Sequence, residues 1–301
     1  MIKVLMIVLF IVSGCEAATI KLNKKIEIES TPTGFKMQLA KQNSKVVIAV
    51  IDTGLDSKYK KDVKLCKTGH RNFAEMNMAC LKGDEECETV RKKHKFDENN
   101  IEDGGNYHGT HVAGLIAKNI TTDYCLMIIK WYSHDINKYS NNLINSNKAF
   151  RWAIDHNVDM INYSAGGPEP GPQEQALILE ALDKNIIVVT AAGNESVSFK
   201  HQAYFPALYD KRVIVVGNLM RVRSKMVRHP SSNYGKEIDL EILGTNLISI
   251  NNRALTGTSQ AAAVATGKLA EYVKAYRFTE FMRKYDYGNN YYTPLYRHTG
   301  Q

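Results

Sequence analysis

The sequence predicts an α/β protein with a three-layer fold, in which a mostly parallel, doubly wound sheet carries helices on both faces. Continuous apolar runs of strand length alternate along the chain with longer segments of helical periodicity. Such runs are typical of strands buried on both faces, as in parallel sheets. The length of 301 residues and the 44% apolar content suffice for a substantial core.

The first predicted strand ends in a polar motif that becomes important below. It contains an unbroken apolar run from Val46 to Ile51, directly before Asp52. The segments that we expect to form buried strands are Lys45–Ile51, Leu126–Ile129, Val158–Tyr163, Ile186–Thr190 and Val213–Gly217.

Segments with helical spacing lie between these strands. Ala149, Phe150, Ala153 and Ile154 fall on one face of such a segment, and Pro172 suits the first turn of the next. We expect helices over Thr110–Lys118, Leu143–His156 and Pro172–Lys184, and an alanine-rich helix beginning near Ser259. Because strands and helices alternate, the helices are expected to cover both faces of the sheet.

The N-terminus resembles an export signal. Lys3 precedes the apolar segment Val4–Val12, which is too short to span a bilayer. The motif Val12-Ser13-Gly14-Cys15 resembles a bacterial lipobox, in which the cysteine is acylated after cleavage. This interpretation predicts a lipoprotein-type signal peptide over 1–14 and membrane attachment through lipidated Cys15.

The predicted location follows from that cysteine. Glu16 after Cys15 favours sorting to the outer membrane, so we expect an exported envelope lipoprotein that faces the periplasm. The alternative is ordinary signal cleavage near Ala17 or Ala18, which gives a secreted protein without an acyl group.

The rest of the chain divides into a polar leader over 15–44, without strong periodicity, and a large domain over 45–301. A charged excursion at about 58–105 holds three of the four remaining cysteines, and such long loops are usually functional or mobile. Cys66, Cys80, Cys87 and Cys125 permit two disulfides, in three pairings that the sequence leaves open.

The sequence gives little support for a metal site or for nucleic-acid binding. The spacing of Cys80 and Cys87 differs from common zinc sites, and the pair His108 and His111 lacks a third ligand at the usual spacing. The formal charge is +8 with a pI near 9.0, but the cations are scattered apart from small groups such as Arg91-Lys92-Lys93. We therefore expect a solvated basic surface and no nucleic-acid partner. We also expect a monomer.

Three short motifs carry the chemistry. Ile51-Asp52-Thr53-Gly54 ends a strand, His108-Gly109-Thr110-His111 opens a helix, and Gly257-Thr258-Ser259 opens another. A serine nucleophile needs an imidazole to take its proton, and the imidazole needs a carboxylate to fix its tautomer. Ligands of open α/β sheets bind at the carboxyl ends of the strands. We expect Asp52, His108 and Ser259 to meet there as catalytic residues.

These motifs, in this order, resemble those of the subtilisin-like serine proteases, the subtilases of peptidase family S8. The resemblance covers about Lys45–Ala275 and identifies 45–301 as a catalytic domain of subtilisin-like fold. It implies a serine endopeptidase that hydrolyses extended peptide or protein substrates through an acyl-enzyme. It assigns Asp52 as the orienting carboxylate, His108 as the general base and acid, and Ser259 as the nucleophile.

The resemblance extends to the substrate-binding residues. It implies that Asn194 donates its side-chain amide to the oxyanion, together with the backbone N–H of Ser259. Ser164, Ala165 and Gly166 resemble the strand that pairs with substrate and walls its first pocket. Tyr204 stands where relatives often have a small residue, so we expect a shallow pocket for small or medium apolar side chains. Phe205-Pro206 resembles a further wall segment, often with a cis proline.

Three departures from the family pattern keep a second interpretation open. Ala263 replaces a usual proline, the Lys118–Tyr124 loop is too short for the calcium loop of many relatives, and the 15–44 leader is too short for a folded inhibitory pro-domain. We predict no required cofactor or metal, calcium included. The alternative function is a catalytically inactive or slow, subtilase-like peptide-binding protein of the envelope.

Overall fold

The computed structural model describes residues 19–23, 26–31, 34–39, 45–74, 80, 83–93, 96–105, 107–134 and 141–273. The chain divides into two compact units, Met1–Ser44 and Lys45–Gln301. The signal segment 1–14 and Cys15 lie outside the described residues. No helix in the described ranges is long and apolar enough to cross a membrane.

The first unit contains a three-stranded antiparallel sheet, which the sequence analysis did not predict. Its strands are β1 (Thr19–Asn23), β2 (Ile26–Thr31) and β3 (Gly34–Leu39), in that spatial order. The register pairs Ile28 with Ile20 on one side and with Met37 on the other. The signal was the alternation of apolar and polar residues along Ile26–Glu29 and Phe35–Leu39, which is typical of strands with one buried face.

The second unit is built on an eight-stranded sheet in the order β10-β9-β8-β7-β4-β6-β5, with β11 paired to β9. Every pairing is parallel except that of β9 with β10. The strands are β4 (Val46–Asp52), β5 (Arg71–Asn72), β6 (Tyr124–Lys130), β7 (Met160–Tyr163), β8 (Ile187–Ala191), β9 (Ile214–Val222), β10 (Lys225–Arg228) and β11 (Leu240–Leu243). A separate two-stranded ribbon joins β12 (Leu247–Ile248) to β13 (Ala254–Leu255).

Five α-helices lie within the described residues. They are α1 (Glu85–Lys93), α2 (His108–Asn119), α3 (Asn142–Asp155), α4 (Pro172–Asp183) and α5 (Thr258–Leu269), with short 3₁₀ turns at Ser57–Tyr59 and Ala270–Tyr272. Most predicted boundaries differ from these by one or two residues. The main exception is β9, which continues past the predicted end at Gly217 to Val222.

Alternate side chains of each central strand enter two separate cores, and this confirms the three-layer prediction. Ile48 and Val50 of β4 pack in one core with residues of α2 and α5. Ala49 and Ile51 of the same strand pack in the other core with residues of α3 and α4. A sheet buried on both faces forces its strands to be apolar without interruption.

The excursion between β4 and α2 is pinned to the sheet. One disulfide joins Cys66 to Cys125, at the start of β6, and the other joins Cys80 to Cys87. Backbone hydrogen bonds at 2.8 and 3.0 Å also link 64–66 to Leu126. These contacts select one of the three pairings that the sequence left open.

Candidate active site

Asp52 is held at the carboxyl end of the central strand β4. Its side chain is 4% exposed, and its Oδ1 accepts hydrogen bonds from the backbone N–H of Thr53 and from Nδ1 of His108, both at 2.7 Å. A buried carboxylate with two donors is fixed in orientation, so the His108 ring is oriented by β4.

Two glycines allow α2 to begin against the turn after β4. Gly54 has a φ of +118°, and a Cβ there would lie 2.4 Å from the carbonyl oxygen of Ile101. A Cβ on Gly109 would lie 2.3 Å from the carbonyl oxygen of Gly54. Both distances are impossible for a side chain, so this close approach, and with it the Asp52–His108 hydrogen bond, requires glycine at both positions.

A second buried carboxylate, Asp103, lies beneath these residues, and the sequence analysis missed it. Asp103 is 3% exposed and accepts hydrogen bonds from Thr53 Oγ1 at 2.5 Å, from Thr110 Oγ1 at 2.5 Å and from Thr110 N at 2.7 Å. Thr53 Oγ1 in turn accepts from the N–H of Gly109 at 2.8 Å. Asp103 therefore joins the residue after Asp52 to the first turn of α2.

Ser259 is the second residue of α5 and lies in the same cavity as His108. The cavity has a volume of about 280 Å³, and its lining includes Asp52, His108 and Ser259. Ser259 Oγ donates a hydrogen bond to the carbonyl oxygen of Ser164 at 3.2 Å. No hydrogen bond joins Ser259 to His108 in the described part of the chain. Catalytic hydrogen bonds are often long or unformed without substrate, and tighten when it binds.

Asn194 is anchored by its amide oxygen. Oδ1 accepts hydrogen bonds from the backbone N–H of Thr258 at 2.9 Å and from Thr258 Oγ1 at 3.2 Å. Asn194 is exposed to the cavity, and its Nδ2 has no acceptor among the described residues. The amide nitrogen is therefore free to donate to a bound group beside Ser259.

The predicted substrate-binding residues also line this cavity. Ser164, Ala165, Gly166 and Tyr204 are all in contact with it. A Cβ on Gly166 would lie 2.5 Å from Cε1 of Tyr204, and one on Gly193 would lie 2.7 Å from its Cζ. The phenol ring therefore occupies the space between these two glycines and limits the depth of the cavity there.

An antiparallel β-bridge joins the segment that follows Gly166 to the segment that follows Tyr204. The backbones of Gly167 and Phe205 exchange hydrogen bonds at 2.7 and 2.9 Å. The Phe205–Pro206 peptide bond is cis, as the resemblance suggested.

Trp131 and Tyr132 also line the cavity, although the sequence analysis did not select them. Their position directly after a predicted strand was the available signal, because strand ends share the site's edge of the sheet.

His111 has a structural position. It is fully buried, and its Nε2 lies 2.9 Å from the carbonyl oxygen of Leu247 and 3.1 Å from that of Arg253. Burial lowers the pKa of His111, so the ring is neutral at neutral pH. His111 thus ties α2 to the segment that precedes Ser259. No cluster of three metal-ligating side chains occurs within the described ranges.

Comparison with known proteins agrees with this geometry. The model of the subtilase family matches residues 43–286, which is most of the chain. The chain belongs to the subtilase family.

Two curated relatives are serine proteases. This subtilase is 30% identical to the major intracellular serine protease of Bacillus subtilis (strain 168). The alignment spans 290 residues and covers 86% of this chain and 80% of that protein. It is 31% identical over 241 residues to an intracellular serine protease of Paenibacillus polymyxa, covering 75% of this chain and 65% of the relative. The chain is therefore a serine-type endopeptidase, a hydrolase of peptide or protein substrates.

Solved structures show the same fold. The epidermin leader peptide processing serine protease of Staphylococcus aureus superimposes with a TM-score of 0.62 at 20% identity, covering 81% of this chain and 68% of that one. A cold adapted subtilisin-like serine proteinase gives a TM-score of 0.54 at 21% identity, covering 79% and 81%. The subtilisin-like α/β fold is thus confirmed.

The electrostatics of the subtilase site favour a charged His108. Burial disfavours the imidazolium, but the charge and hydrogen bond of Asp52 outweigh it, and the more distant charge of Asp103 adds to them. The pKa of His108 therefore lies above its ordinary value of 6.5. For Asp103, burial raises the pKa of the carboxyl, the hydrogen bonds from Thr110 and Thr53 oppose the shift, and the Asp52 charge adds to it.

Removing the Asp103 carboxylate is expected to destabilise the domain. Asp103→Ala leaves the buried Thr53 hydroxyl and both Thr110 donors without their acceptor, so we expect a loss of about 3–5 kcal/mol of unfolding free energy. The measurement is urea unfolding near neutral pH, in a Ser259→Ala background that prevents self-digestion.

Glu102→Ala provides the matched control. Glu102 is the adjacent acid, but its side chain is 41% exposed, so its bonds to Ser57 and Lys60 are worth at most about 1 kcal/mol. Equal urea midpoints for the two variants would contradict a special role for Asp103.

Proposed function

We propose that this subtilase hydrolyses peptide bonds with Ser259 as nucleophile, His108 as general base and acid, and Asp52 as the carboxylate that orients His108. The observation that carries the proposal is the 2.7 Å hydrogen bond between Asp52 and His108, within the cavity that also holds Ser259. Because Asp52 contacts Nδ1, the other ring nitrogen, Nε2, is available to take a proton.

The reaction proceeds by acyl transfer. Ser259 Oγ attacks the substrate carbonyl carbon while its proton moves to His108 Nε2, and the carbonyl oxygen becomes an oxyanion. Collapse of this intermediate breaks the C–N bond, and His108 gives its proton to the departing amine. The resulting ester is hydrolysed by water in the same two stages, with His108 again as base and acid. For this step the hydroxyl must exchange its 3.2 Å bond to the Ser164 carbonyl for one to His108.

Two donors are available for the oxyanion. The Asn194 amide nitrogen is free, while its oxygen is fixed on Thr258. The backbone N–H of Ser259 lies in the first turn of α5, where amide groups have no acceptor within the helix. Donors fixed before the reaction stabilise the developing charge without the cost of reorientation.

The substrate is an extended peptide or protein segment. We place its backbone along Ser164, Ala165 and Gly166, and the side chain before the cleaved bond in the part of the cavity that Tyr204 shortens. This pocket suits a small or medium apolar side chain, since the Tyr204 ring occupies the space that a large aromatic side chain needs.

The enzyme is proposed to act at the bacterial envelope as a monomer that needs no cofactor or calcium. Support comes from the motif Val12-Ser13-Gly14-Cys15, which predicts acylation, and from Glu16, which favours attachment to the outer membrane on its periplasmic side. Without acylation of Cys15 the same enzyme is secreted.

A second candidate function is a subtilase-like protein that binds peptides but turns over slowly or not at all. The hydrogen bond from Ser259 to the Ser164 carbonyl favours it, because that bond holds the hydroxyl away from His108. The two candidates differ in the reactivity of Ser259.

Covalent labelling separates these two functions. A fluorophosphonate probe is expected to label the chain at Ser259, because attack on the probe requires the hydroxyl to be activated by His108. Labelling is measured by in-gel fluorescence and by mass spectrometry of the modified peptide. Ser259→Ala should abolish it, while Ser224→Ala, which changes an exposed serine outside the cavity, should not. A folded chain that never reacts supports the peptide-binding function.

The pH dependence of activity follows from the electrostatics of His108. The base must be neutral, so kcat/KM should rise with pH and reach half its plateau above 6.5, because Asp52 raises the pKa of His108 above that ordinary value. Asp52→Asn should move the midpoint to lower pH and lower the plateau. A rate that does not change between about pH 6 and 8 would exclude His108 as the base.

Specificity is expected to depend on the Tyr204 ring. Tyr204→Ala should raise kcat/KM for peptides with phenylalanine before the cleaved bond by about 10- to 100-fold relative to alanine peptides, because the pocket becomes deeper. Tyr204→Phe keeps the ring and serves as the control. If both variants retain the wild-type preference, the ring does not limit the pocket.

A further inference from the structure

The ribbon at the end of β9 projects from the sheet. β11 pairs with β9 only as far as Leu219, whereas the pairs Met220–Val227, Arg221–Met226 and Val222–Lys225 involve β9 and β10 alone. Met220 is half-buried, and every residue from 221 to 227 is exposed. We call residues 220–228 the projecting ribbon.

The projecting ribbon concentrates positive charge. Arg221, Arg223 and Lys225 are exposed, and their side chains form no hydrogen bond or ion pair with any residue of the described chain. The sequence from Lys211 to Gly235 contains no aspartate or glutamate. These charges are therefore uncompensated, unlike those of Arg151 and Arg212, which pair with carboxylates.

Apolar side chains are exposed on the same ribbon. Val222 is 45%, Met226 41% and Val227 36% exposed. Tyr234 lies beside them at 40% exposed, with the Arg228 guanidinium 4.2 Å from its ring centre. Half of the exposed large apolar side chains of the described chain thus belong to the ribbon or to Tyr234 beside it.

Arg223, at the tip of the ribbon, has a backbone conformation that arginine rarely adopts. Arg223 has a φ of +55°, in the left-handed region that favours glycine or asparagine. An arginine in this conformation costs free energy relative to glycine, and it places a cation at the outermost turn.

We propose that the projecting ribbon binds the surface of a bilayer containing anionic phospholipids. Exposed cations next to exposed apolar side chains match the two layers of such a surface, phosphate headgroups and the boundary of the acyl chains. Arg221 lies opposite Met226, and Lys225 lies opposite Val222, so each face of the ribbon presents a cation beside an apolar side chain. Such a distribution on both faces suits a ribbon whose tip enters the headgroup region of a bilayer.

The position of the ribbon relates this surface to the active site. β9 leaves the sheet at its carboxyl edge, where Asn218 Oδ1 accepts from the N–H of Gly244 at 2.9 Å. Gly244 in turn accepts at 3.0 Å from Gly257, two residues before Ser259. A bilayer bound by the ribbon is therefore near the edge of the domain that carries the cavity. The proposal does not depend on acylation of Cys15 or on the roles assigned to the catalytic residues.

Vesicle binding tests the proposal with the full chain carrying Cys15→Ala, so that no acyl group contributes. The probes are phosphatidylcholine vesicles with and without about one-third phosphatidylglycerol, and the readout is the ratio of the two affinities by co-sedimentation. The ratio removes any binding by the apolar N-terminus that is independent of lipid charge.

The test variant is the triple substitution Arg221→Gln, Arg223→Gln and Lys225→Gln. Its matched control removes the same charge elsewhere, at exposed lysines, by Lys61→Gln, Lys200→Gln and Lys211→Gln. Thermal unfolding confirms that each variant is folded.

We expect the unsubstituted ribbon to prefer anionic vesicles, and the ribbon variant to lose about 100-fold in affinity for them. The lysine control should stay within about 3-fold, and Met226→Ser should weaken the binding that persists at about 0.5 M salt. Equal losses in both triple variants, or no preference for anionic vesicles, would overturn the proposal. So would a ribbon variant that binds vesicles normally but cleaves glutamate-rich peptides more slowly, because the ribbon would then bind acidic polypeptide.

Discussion

The close packing of α2 on the turn after β4 is the contact on which the rest of the site depends. It brings an imidazole on one element to a carboxylate on another, and it leaves no space for a side chain at Gly54 or Gly109. Asp103 stabilises the contact from below through Thr53 and Thr110. The burial of a second carboxylate close to Asp52 is costly, and three short hydrogen bonds offset that cost.

Ser259 is positioned by a different set of contacts. Hydrogen bonds join Thr266 on α5 to Asn162 on β7, and Asn162 to Ser164, so the helix that carries Ser259 is fixed to the strand beside β4. The sheet thus serves as a common reference for both halves of the site. Asn194, bonded to Thr258, completes the arrangement from the neighbouring strand β8.

The sequence predicted most of the parallel sheet because burial on both faces leaves an unbroken apolar run. It predicted Asp52, His108 and Ser259 because each lies in a short motif at the end of a strand or the start of a helix. It did not reveal Asp103. Its partner Thr53 is distant along the chain, and glycines lie between Asp103 and its other partner Thr110, so no local pattern marks the residue. The cysteine pairing was open for a similar reason, since spacing alone does not show which residues approach in space.

The strands of the first unit and the extension of β9 were missed on different grounds. The alternation of apolar and polar residues along Ile26–Glu29 is short and lies among many charged residues, so it was not taken to predict a strand. The β9 extension has a shorter signal, the alternation along Met220-Arg221-Val222-Arg223, because a ribbon exposed on both faces needs no apolar run.

The Cys66–Cys125 bond has a consequence for the domain when its own chain is cleaved. The segment it encloses contains the excursion from Cys66 onwards, Asp103 and the whole of α2 with His108. If a peptide bond between Cys66 and the start of α2 is hydrolysed, the two fragments stay covalently joined, and α2 stays attached to the strand on which it packs. The crosslink therefore allows this part of the domain to be nicked without release of the piece that holds His108.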